Sequence, residues 1–436
     1  MICHLGFSEP VPLKLMTFNV WRGGDQVNLQ MVVDAIKNVN PDIVAIQEAE
    51  ENFLQIGDML GWSHVNPRTQ LLSKYPIFDP ELDEEGMSVE GEGGFSHPYS
   101  YIEITPGKVI AVSNVHLTAK LDGPEALRDG LSEETVFENE HAIRVPQIRS
   151  IVNCFAKMEL PIFILGDFNS PSHLDSTFPW PTCKELTEKG FMDSFRQLHP
   201  ELISNPGFTW SCGHPFPRLE GNEVMSRIDY IFYRGAATPT KSYLVGEKSI
   251  VPWPSDHRAV VSEFLVEPSV APCMISLNKR ILSPLQKLQV RFTGQNERDL
   301  KLEIKDQFSA HLDETDRSLF SVNVEYLKAG WNEAKITKNN LEILSKASFF
   351  VTNEAPKISF SNGQVLWKNA PGNKWDWIGI YKLNETDPHN YLSYFYTDAS
   401  VHGSGKIEIP PVGNYELRLY ANDSFFLLNR WVLQSQ

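Results

Sequence analysis

Apolar and polar positions follow two rhythms along the chain, and the balance between them shifts near residue 268. Residues 13–20, LKLMTFNV, read as a strand. Val27, Met31, Val32, Ala35, Ile36 and Val39 then recur at helical spacing. Pro41 stops that helix, and Ile43-Val44-Ala45-Ile46 is a short, fully apolar strand. The same order recurs further on. Residues 108–117 read as a strand, and Pro146 suits the first turn of a helix with Ile148, Ile151, Val152 and Phe155 on its core face. Pro161 precedes the apolar strand IFILG, and residues 227–233 and 258–266 are further strands. Residues 1–267 are therefore mixed α/β, and the repeated strand–helix–strand order by itself predicts parallel pairing.

Beyond Glu267 the texture changes. PSVAP (268–272) reads as a linker, and short β-type runs broken by Gly, Pro and Asn follow it. Segments 273–353 and 357–434 each have the size and strand rhythm of a small β-sandwich. The expected architecture is an α/β domain, 1–267, followed by two small all-β sandwich domains, 268–355 (immunoglobulin-like) and 356–436.

Composition narrows the class. Of 436 residues, 42% are hydrophobic and 22% charged, which excludes a disordered, collagen-like or coiled-coil chain. No run of 18 apolar residues predicts a membrane helix. Five widely spaced cysteines form neither a CxxC motif nor a disulfide framework. The first residues lack a charged segment followed by an apolar one, so the expected location is cytoplasmic. Charge divides unevenly. Residues 1–267 carry 20 basic and 37 acidic residues, a net of −17, whereas 268–436 carry 19 and 18, a net of +1. Duplex binders draw affinity from neutralised phosphates, so this balance disfavours a nucleic-acid partner.

Polar residues gather where the apolar strands end. Asn19 follows one strand, Glu48 a second, His116 a third, and Asp167 and Asn169 a fourth. Asp229 lies within RIDYIFYR, and Asp256 and His257 immediately precede the last strand. Strand ends are fixed by the sheet yet open to solvent, which suits a site of tight geometry. Each residue alone has a bland reading: a turn former, a solvated strand end, a structural histidine. Asp229 is the exception, because a carboxylate among Ile228, Tyr230, Ile231 and Phe232 needs a partner if buried. Together, Asn19, Glu48, Asp167, Asn169 and Asp256 are oxygen donors that suit Mg²⁺ or Mn²⁺. Two histidines, each able to act as acid, base or cation, complete a phosphoryl-transfer set.

This ordered set resembles the endonuclease/exonuclease/phosphatase superfamily of metal-dependent phosphoesterases. It is carried by FN (18–19), QE (47–48), HL (116–117), GDFN (166–169), RIDY (227–230) and SDH (255–257), with LLSKYPI (71–77) in support. The resemblance covers residues 13–267 and implies a four-layer α/β sandwich whose two sheets are mostly antiparallel, against the parallel pairing expected from strand order. It implies that Glu48 is the principal metal ligand, with Asn19 and Asp256 contributing. Asp167 and Asn169 would position the attacking water and phosphoryl oxygens. Asp229 would orient His257, and His116 would stabilise or protonate the leaving oxygen. WDWIGIYK (375–382) and PVGNYELRLY (411–420) are similar to SKICH-type β-sandwich modules found beside some phosphatases.

Substrate choice belongs to the loops. Two are long and acidic, 79–99 and 120–141, and neither offers a basic stripe with interleaved aromatics. Arg144 and Gln147 follow His116 and are candidates for substrate contact, and Asp193 and Arg196 are spaced for an ion pair. The expected function is Mg²⁺-dependent hydrolysis of a phosphoester on a small or lipid-linked substrate. The alternatives are a nuclease and a catalytically inactive scaffold. The β modules would serve a membrane or protein partner.

Overall fold

The computed structural model describes residues 10–80, 99–210, 224–246, 253–293, 300–304, 307–311, 320–339, 342–373, 376–398, 400–410, 412–421 and 425–433. The chain divides into two compact units. The first takes its described residues from Met1–Val65, Gln70–Ile77 and Ile102–Ser269; the second takes them from Asn66–Thr69, Phe78–Tyr101 and Val270–Gln436.

The first unit is an α/β assembly of two mixed sheets. One sheet runs in the order 237–245, 259–266, 11–19, 43–47, 71–73, 64–66. The other runs 77–78, 100–105, 108–116, 162–167, 229–234, 192–193. The two strand–helix–strand crossovers pair in parallel, with Leu15 opposite Ile43 and Ala111 opposite Ile162. Returning strands pair antiparallel, as in Val11–Asn19 against Ala259–Val266 and Ile162–Asp167 against Asp229–Arg234. Both expectations for the sheet thus hold locally: crossovers give parallel pairs, and returns give antiparallel ones.

Alternation along the strands builds the core. Leu13, Leu15, Ile43 and Ala45 of one sheet meet Ile110, Val112, Phe163, Leu165 and Ile231 of the other. Met16, Phe18, Val44 and Ile46 face outward onto Val32, Ile36, Phe53 and Ile56 of the helices Leu29–Val39 and Phe53–Leu60. Asn28 starts the first of these by accepting the Gln30 amide at 2.8 Å, and left-handed Asn40 ends it before Pro41.

Two expectations from the sequence do not hold. The acidic stretch 120–141 is largely helical, with Asp122 capping Gly123–Arg128 and Ser132 capping Glu133–Cys154. Pro146 accordingly lies inside the long helix rather than in its first turn. Of the loop 79–99, residues 81–98 lie outside the described residues.

The described strands after residue 272 form four sheets. Strands 274–277, 287–293 and 320–323 form one, and 281–282, 342–351, 330–338, 300–304 and 308–311 another. Ile275, Leu288, Leu302, Ile336 and Phe349 belong to a shared core. Strands 357–361, 364–368 and 403–405 form a third sheet, and 393–396, 377–382, 415–420 and 427–433 a fourth. Their core includes Ile358, Trp367, Ile380 and Leu417. Trp375 lies outside the described residues, whereas Trp377 is buried against Tyr420 at a ring separation of 4.5 Å. No helix among the described residues is long and apolar enough to cross a membrane.

Candidate active site

Neighbouring strands end in register and bring the polar residues together. Asn19 lies opposite Gln47, one residue before Glu48. His116 lies opposite Asp167, and Asp167 lies opposite Asp229. Gly166 makes this approach feasible. Its φ is 146°, and a Cβ there would stand 1.9 Å from the Val115 carbonyl oxygen.

Asn19 crosslinks two carboxylates. Its Nδ2 donates to Glu48 Oε1 at 2.9 Å and to Asp167 Oδ2 at 3.0 Å, while its Oδ1 accepts the Trp21 amide at 3.0 Å. Glu48 is held from its other side as well, because the Arg22 amide donates to Oε2 at 2.9 Å and the Gly23 amide to its carbonyl at 2.7 Å. Trp21, Arg22, Glu48 and Asn169 all take positive φ, a conformation that costs energy for non-glycine residues and concentrates at functional sites. Asn169 is fixed by its amide to Asp167 Oδ1 at 2.8 Å and its side chain to the Leu117 carbonyl at 2.9 Å.

The histidines flank this cluster. His116 Nε2 lies 3.8 Å from both Glu48 Oε1 and Asp167 Oδ2. His257 Nδ1 is 2.9 Å from Asp229 Oδ2, which leaves Nε2 facing Asp167 Oδ2 at 3.7 Å. Asp229 and Asp167 are each 1% exposed, so the pairing answers the question that RIDY raised. Asp256 is half-buried on the same segment, and Ser255 ties that segment down by donating to the Asn19 carbonyl at 2.7 Å.

Environment separates the titrations. Burial opposes ionisation of Glu48, but the His116 charge, the Asn19 amide, the His257 charge and the Arg22 amide hold its carboxyl below the ordinary value. Burial, then the Asp229 charge, pushes Asp167 up to about 6, against the pull of both histidines and the Asn169 amide. Burial also opposes the His257 charge, yet Asp229, Asp167 and Asp256 raise it well above the ordinary imidazole value.

Glu48, His116 and Asp167 present ligand atoms within 4.8 Å of one another, and so do Asp167, Asp229 and His257. The carboxylates of these groups, Glu48, Asp167 and Asp229, are hard anionic donors and His116 and His257 add imidazole nitrogens, a set that could hold a divalent cation.

Arg144 does not line this site. It is 1% exposed, pairs with buried Glu140, and donates to the carbonyls of Thr118 at 2.9 Å, Lys120 at 3.0 Å and Leu121 at 3.2 Å. Its role is to hold the segment after His116. Gln147 works beside it, exchanging hydrogen bonds with the Thr118 amide and hydroxyl at 3.2 and 3.0 Å. Asp193 and Arg196 do not pair with each other through their side chains. Asp193 caps the turn Ser194–Leu198 and meets Arg227 at 2.7 Å, while Arg196 meets Asp175 at 2.7 Å.

Other supports had no signal in the sequence. Thr209 Oγ1 accepts the amides of Ile228 and Asp229 at 3.0 and 3.1 Å. Gln47 donates to Asn114 Oδ1 at 2.7 Å beneath Glu48, and Asn114 donates to the carbonyls of Ile46 and Gln70. Their partners lie 19 to 68 residues away along the chain, beyond any local pattern.

The model of the Endonuclease/Exonuclease/phosphatase family matches residues 16–257, more than half of the chain. An uncharacterised protein of Caenorhabditis elegans, F14F9.5, is 34% identical over 301 residues, 59% of this chain and 93% of its own. Among solved structures, an endonuclease/exonuclease/phosphatase from Beutenbergia cavernae is similar over 97% of this chain and 100% of its own, at 13% identity and a TM-score of 0.39. TDP2 from C. elegans is similar over 60% of this chain and 78% of its own, at 20% identity and a TM-score of 0.38.

Proposed function

Since this chain belongs to the endonuclease/exonuclease/phosphatase family, whose members typically hydrolyse phosphoester bonds, we propose that it is a divalent-metal-dependent phosphoesterase acting on a small or lipid-linked substrate. The observation that carries this reading is the Asn19 amide bridging Glu48 and Asp167, with the Asp229–His257 pair closing on Asp167 from the far side. A Mg²⁺ or Mn²⁺ ion held by Glu48, with Asp256 and, through water, Asn19, whose Nδ2 faces the carboxylates, would neutralise charge on the phosphoryl oxygens.

The chain's own residues supply the rest. Asp167, with a carboxyl near 6, is suited to hold the attacking water and take its proton near neutral pH. Asn169 orients that carboxylate through its amide. Asp229 keeps the His257 ring charged with Nε2 toward the site, where it meets developing negative charge. His116, also within reach of the cluster, protonates or stabilises the leaving oxygen.

The domain scheme belongs to the same proposal: 1–267 catalytic, 268–355 immunoglobulin-like and 356–436 SKICH-like, the last two serving localisation. The net charge of −17 over residues 1–267 favours compact phosphoesters over DNA or RNA. The test is a Mg²⁺ assay comparing plasmid DNA, single-stranded oligonucleotide, inositol phosphates, sugar phosphates and phospholipid head groups, with a chelator control. Turnover of a compact phosphoester that chelator abolishes supports the reading. Efficient DNA cleavage lost in His257→Ala would replace it with a nuclease.

A further inference from the structure

The Asp229–His257 pair spans the two sheets of the first unit. Asp229 opens strand 229–234 of one sheet, and His257 lies two residues before strand 259–266 of the other. Because the two strands belong to different sheets, no ladder register sets the 2.9 Å separation of the pair. On its own side His257 is held by its backbone. Its amide donates to Ser255 Oγ at 3.0 Å, and its carbonyl accepts the Trp253 indole at 2.6 Å. Through Ser255 these contacts lead to the Asn19 carbonyl, not to Asp229.

Thr209 reaches both partners. Its hydroxyl accepts the Asp229 amide at 3.1 Å and the Ile228 amide at 3.0 Å. Its carbonyl accepts the amide of Arg258, the residue after His257, at 2.8 Å. The Arg258 guanidinium adds a donation to the Phe208 carbonyl at 3.0 Å. Thr209 is fully buried and is itself anchored. Its amide donates to the Ser226 carbonyl at 2.9 Å, and the Arg196 guanidinium holds the Asn205 carbonyl at 3.0 Å. Arg196 and Arg227 meet Asp175 at 2.7 and 2.9 Å, so the segment that carries Thr209 rests on a buried ion network. One fixed residue that grips both sides leaves little play between them. A charge-assisted hydrogen bond weakens steeply as its distance and angle depart from the optimum.

We propose that Thr209 is a positioning residue: its hydroxyl sets the Asp229 backbone at the place from which the carboxylate holds the His257 ring, with Nε2 toward Asp167. The consequence for turnover rests on the phosphoesterase reading; the effect on the pair does not.

The experiment compares full-length wild type, Thr209→Val and Thr209→Ser, labelled with ¹⁵N-histidine, at one pH with chelator present. The readout is the His257 Nδ1 proton in NMR spectra, identified by its loss in His257→Gln. Valine keeps the branched shape and removes the acceptor, whereas serine keeps the acceptor. Thr209→Val is expected to shift this proton upfield, toward its position in Asp229→Asn, and Thr209→Ser to leave it in place. Ile56→Ala, a core change on the helix Phe53–Leu60, controls for lost stability and should also leave it in place. Where a compound of the substrate panel is turned over, Thr209→Val lowers kcat about tenfold or more at nearly unchanged KM, and serine restores it. A valine protein with the wild-type proton shift, a serine protein that loses it, or an unchanged kcat where the proton has moved overturns the inference. If the valine protein does not fold, Thr209→Cys, whose sulfur is a weak acceptor, takes its place under the same outcomes. A shifted proton in a protein that turns over no compound of the panel upholds Thr209 as the residue that sets the pair and sinks the phosphoesterase reading alone.

Discussion

Asp167 and Asp229 face each other across an antiparallel strand pair, both buried, yet only Asp229 is hydrogen-bonded to an imidazole. Two neighbouring carboxylates that meet the flanking imidazoles at different distances do not share the cationic charge equally. Asp229 accepts from His257, while burial and the Asp229 charge push Asp167 up to about 6 in the middle of the site. The proposed division of labour between acid, base and orienter rests on that asymmetry.

The His257 ring should therefore lose its high pKa when Asp229 is replaced. Burial alone would push the imidazole down, and Asp229 reverses it. In Asp229→Asn, with chelator present, NMR titration should show His257 titrating at a clearly lower pH than in wild type. The stability that the raised pKa provides is full below the unfolded imidazole value of about 6.5 and is lost as pH rises through the folded value. That pH-dependent component should shrink in the variant. An unchanged titration would show that the hydrogen bond does not set the charge.

Asp167 should make the proposed metal binding pH-dependent. With a carboxyl near 6, it is increasingly protonated as pH falls below that value. Mg²⁺ affinity should fall as pH drops from slightly alkaline to mildly acidic, with proton release on binding seen by calorimetry in buffers of different ionisation heat. Asp167→Asn should remove much of that proton release. Metal binding without any released proton at a pH near the Asp167 value contradicts the assignment.

Glu48→Gln should keep the fold and lower turnover by about a hundredfold or more, since the proposed metal ligand loses its charge. Gln is isosteric and keeps one oxygen for either the Asn19 or the Arg22 donor, losing the other hydrogen bond. Circular dichroism checks the first expectation and a Mg²⁺ titration of activity the second. Full activity in Mg²⁺ would remove Glu48 from the metal site.

Gly166→Ala should be among the most damaging single changes. The added methyl meets a carbonyl oxygen at 1.9 Å in a backbone region closed to other residues. A loss of about 4 kcal/mol or more is expected in urea denaturation, or failure to fold. Tolerance would mean that the His116 and Asp167 strands can separate.

How much of this was legible follows from where each constraint resides. Asn19, Glu48, His116, Asp167, Asp229 and His257 stood out because apolar strands end at or beside them, and strand periodicity is local. The parallel crossovers were equally local. Arg144 was misread because spacing after His116 carries no information on burial, and its carbonyl partners lie 23 to 26 residues upstream. Asp193 and Arg196 share a helical turn, but Arg227 and Asp175 offered closer partners. Helix formation in 120–141 was hidden by its charge, since Glu133 and Glu134 look like loop residues yet favour a helix N-terminus.

Arg144 itself yields a sharper test. Arg144→Met leaves Glu140 buried beside Ser170 and Thr182 without its cation, which should cost about 3–5 kcal/mol. Glu140→Met combined with Arg144→Met should regain much of that stability. Activity should not return with it, because the carbonyls of Thr118, Lys120 and Leu121 still lack their donor. Recovery of both would make the pair purely structural.

The interleaved composition of the two compact units bears on how the chain is made. The polypeptide passes from one unit to the other after residues 65, 69, 77, 101 and 269. By the time the ribosome has released Ser269, every segment of the first unit is available. The second unit must wait for the described residues of 270–436 and then gather Asn66–Thr69 and the described residues of Phe78–Tyr101, synthesised well before them. During that interval those early segments lack the neighbours that residues 270–436 supply. Folding during synthesis therefore has a built-in delay, and a stop codon near 269 would leave the delay permanent, with the unmatched segments as targets for chaperones and proteases.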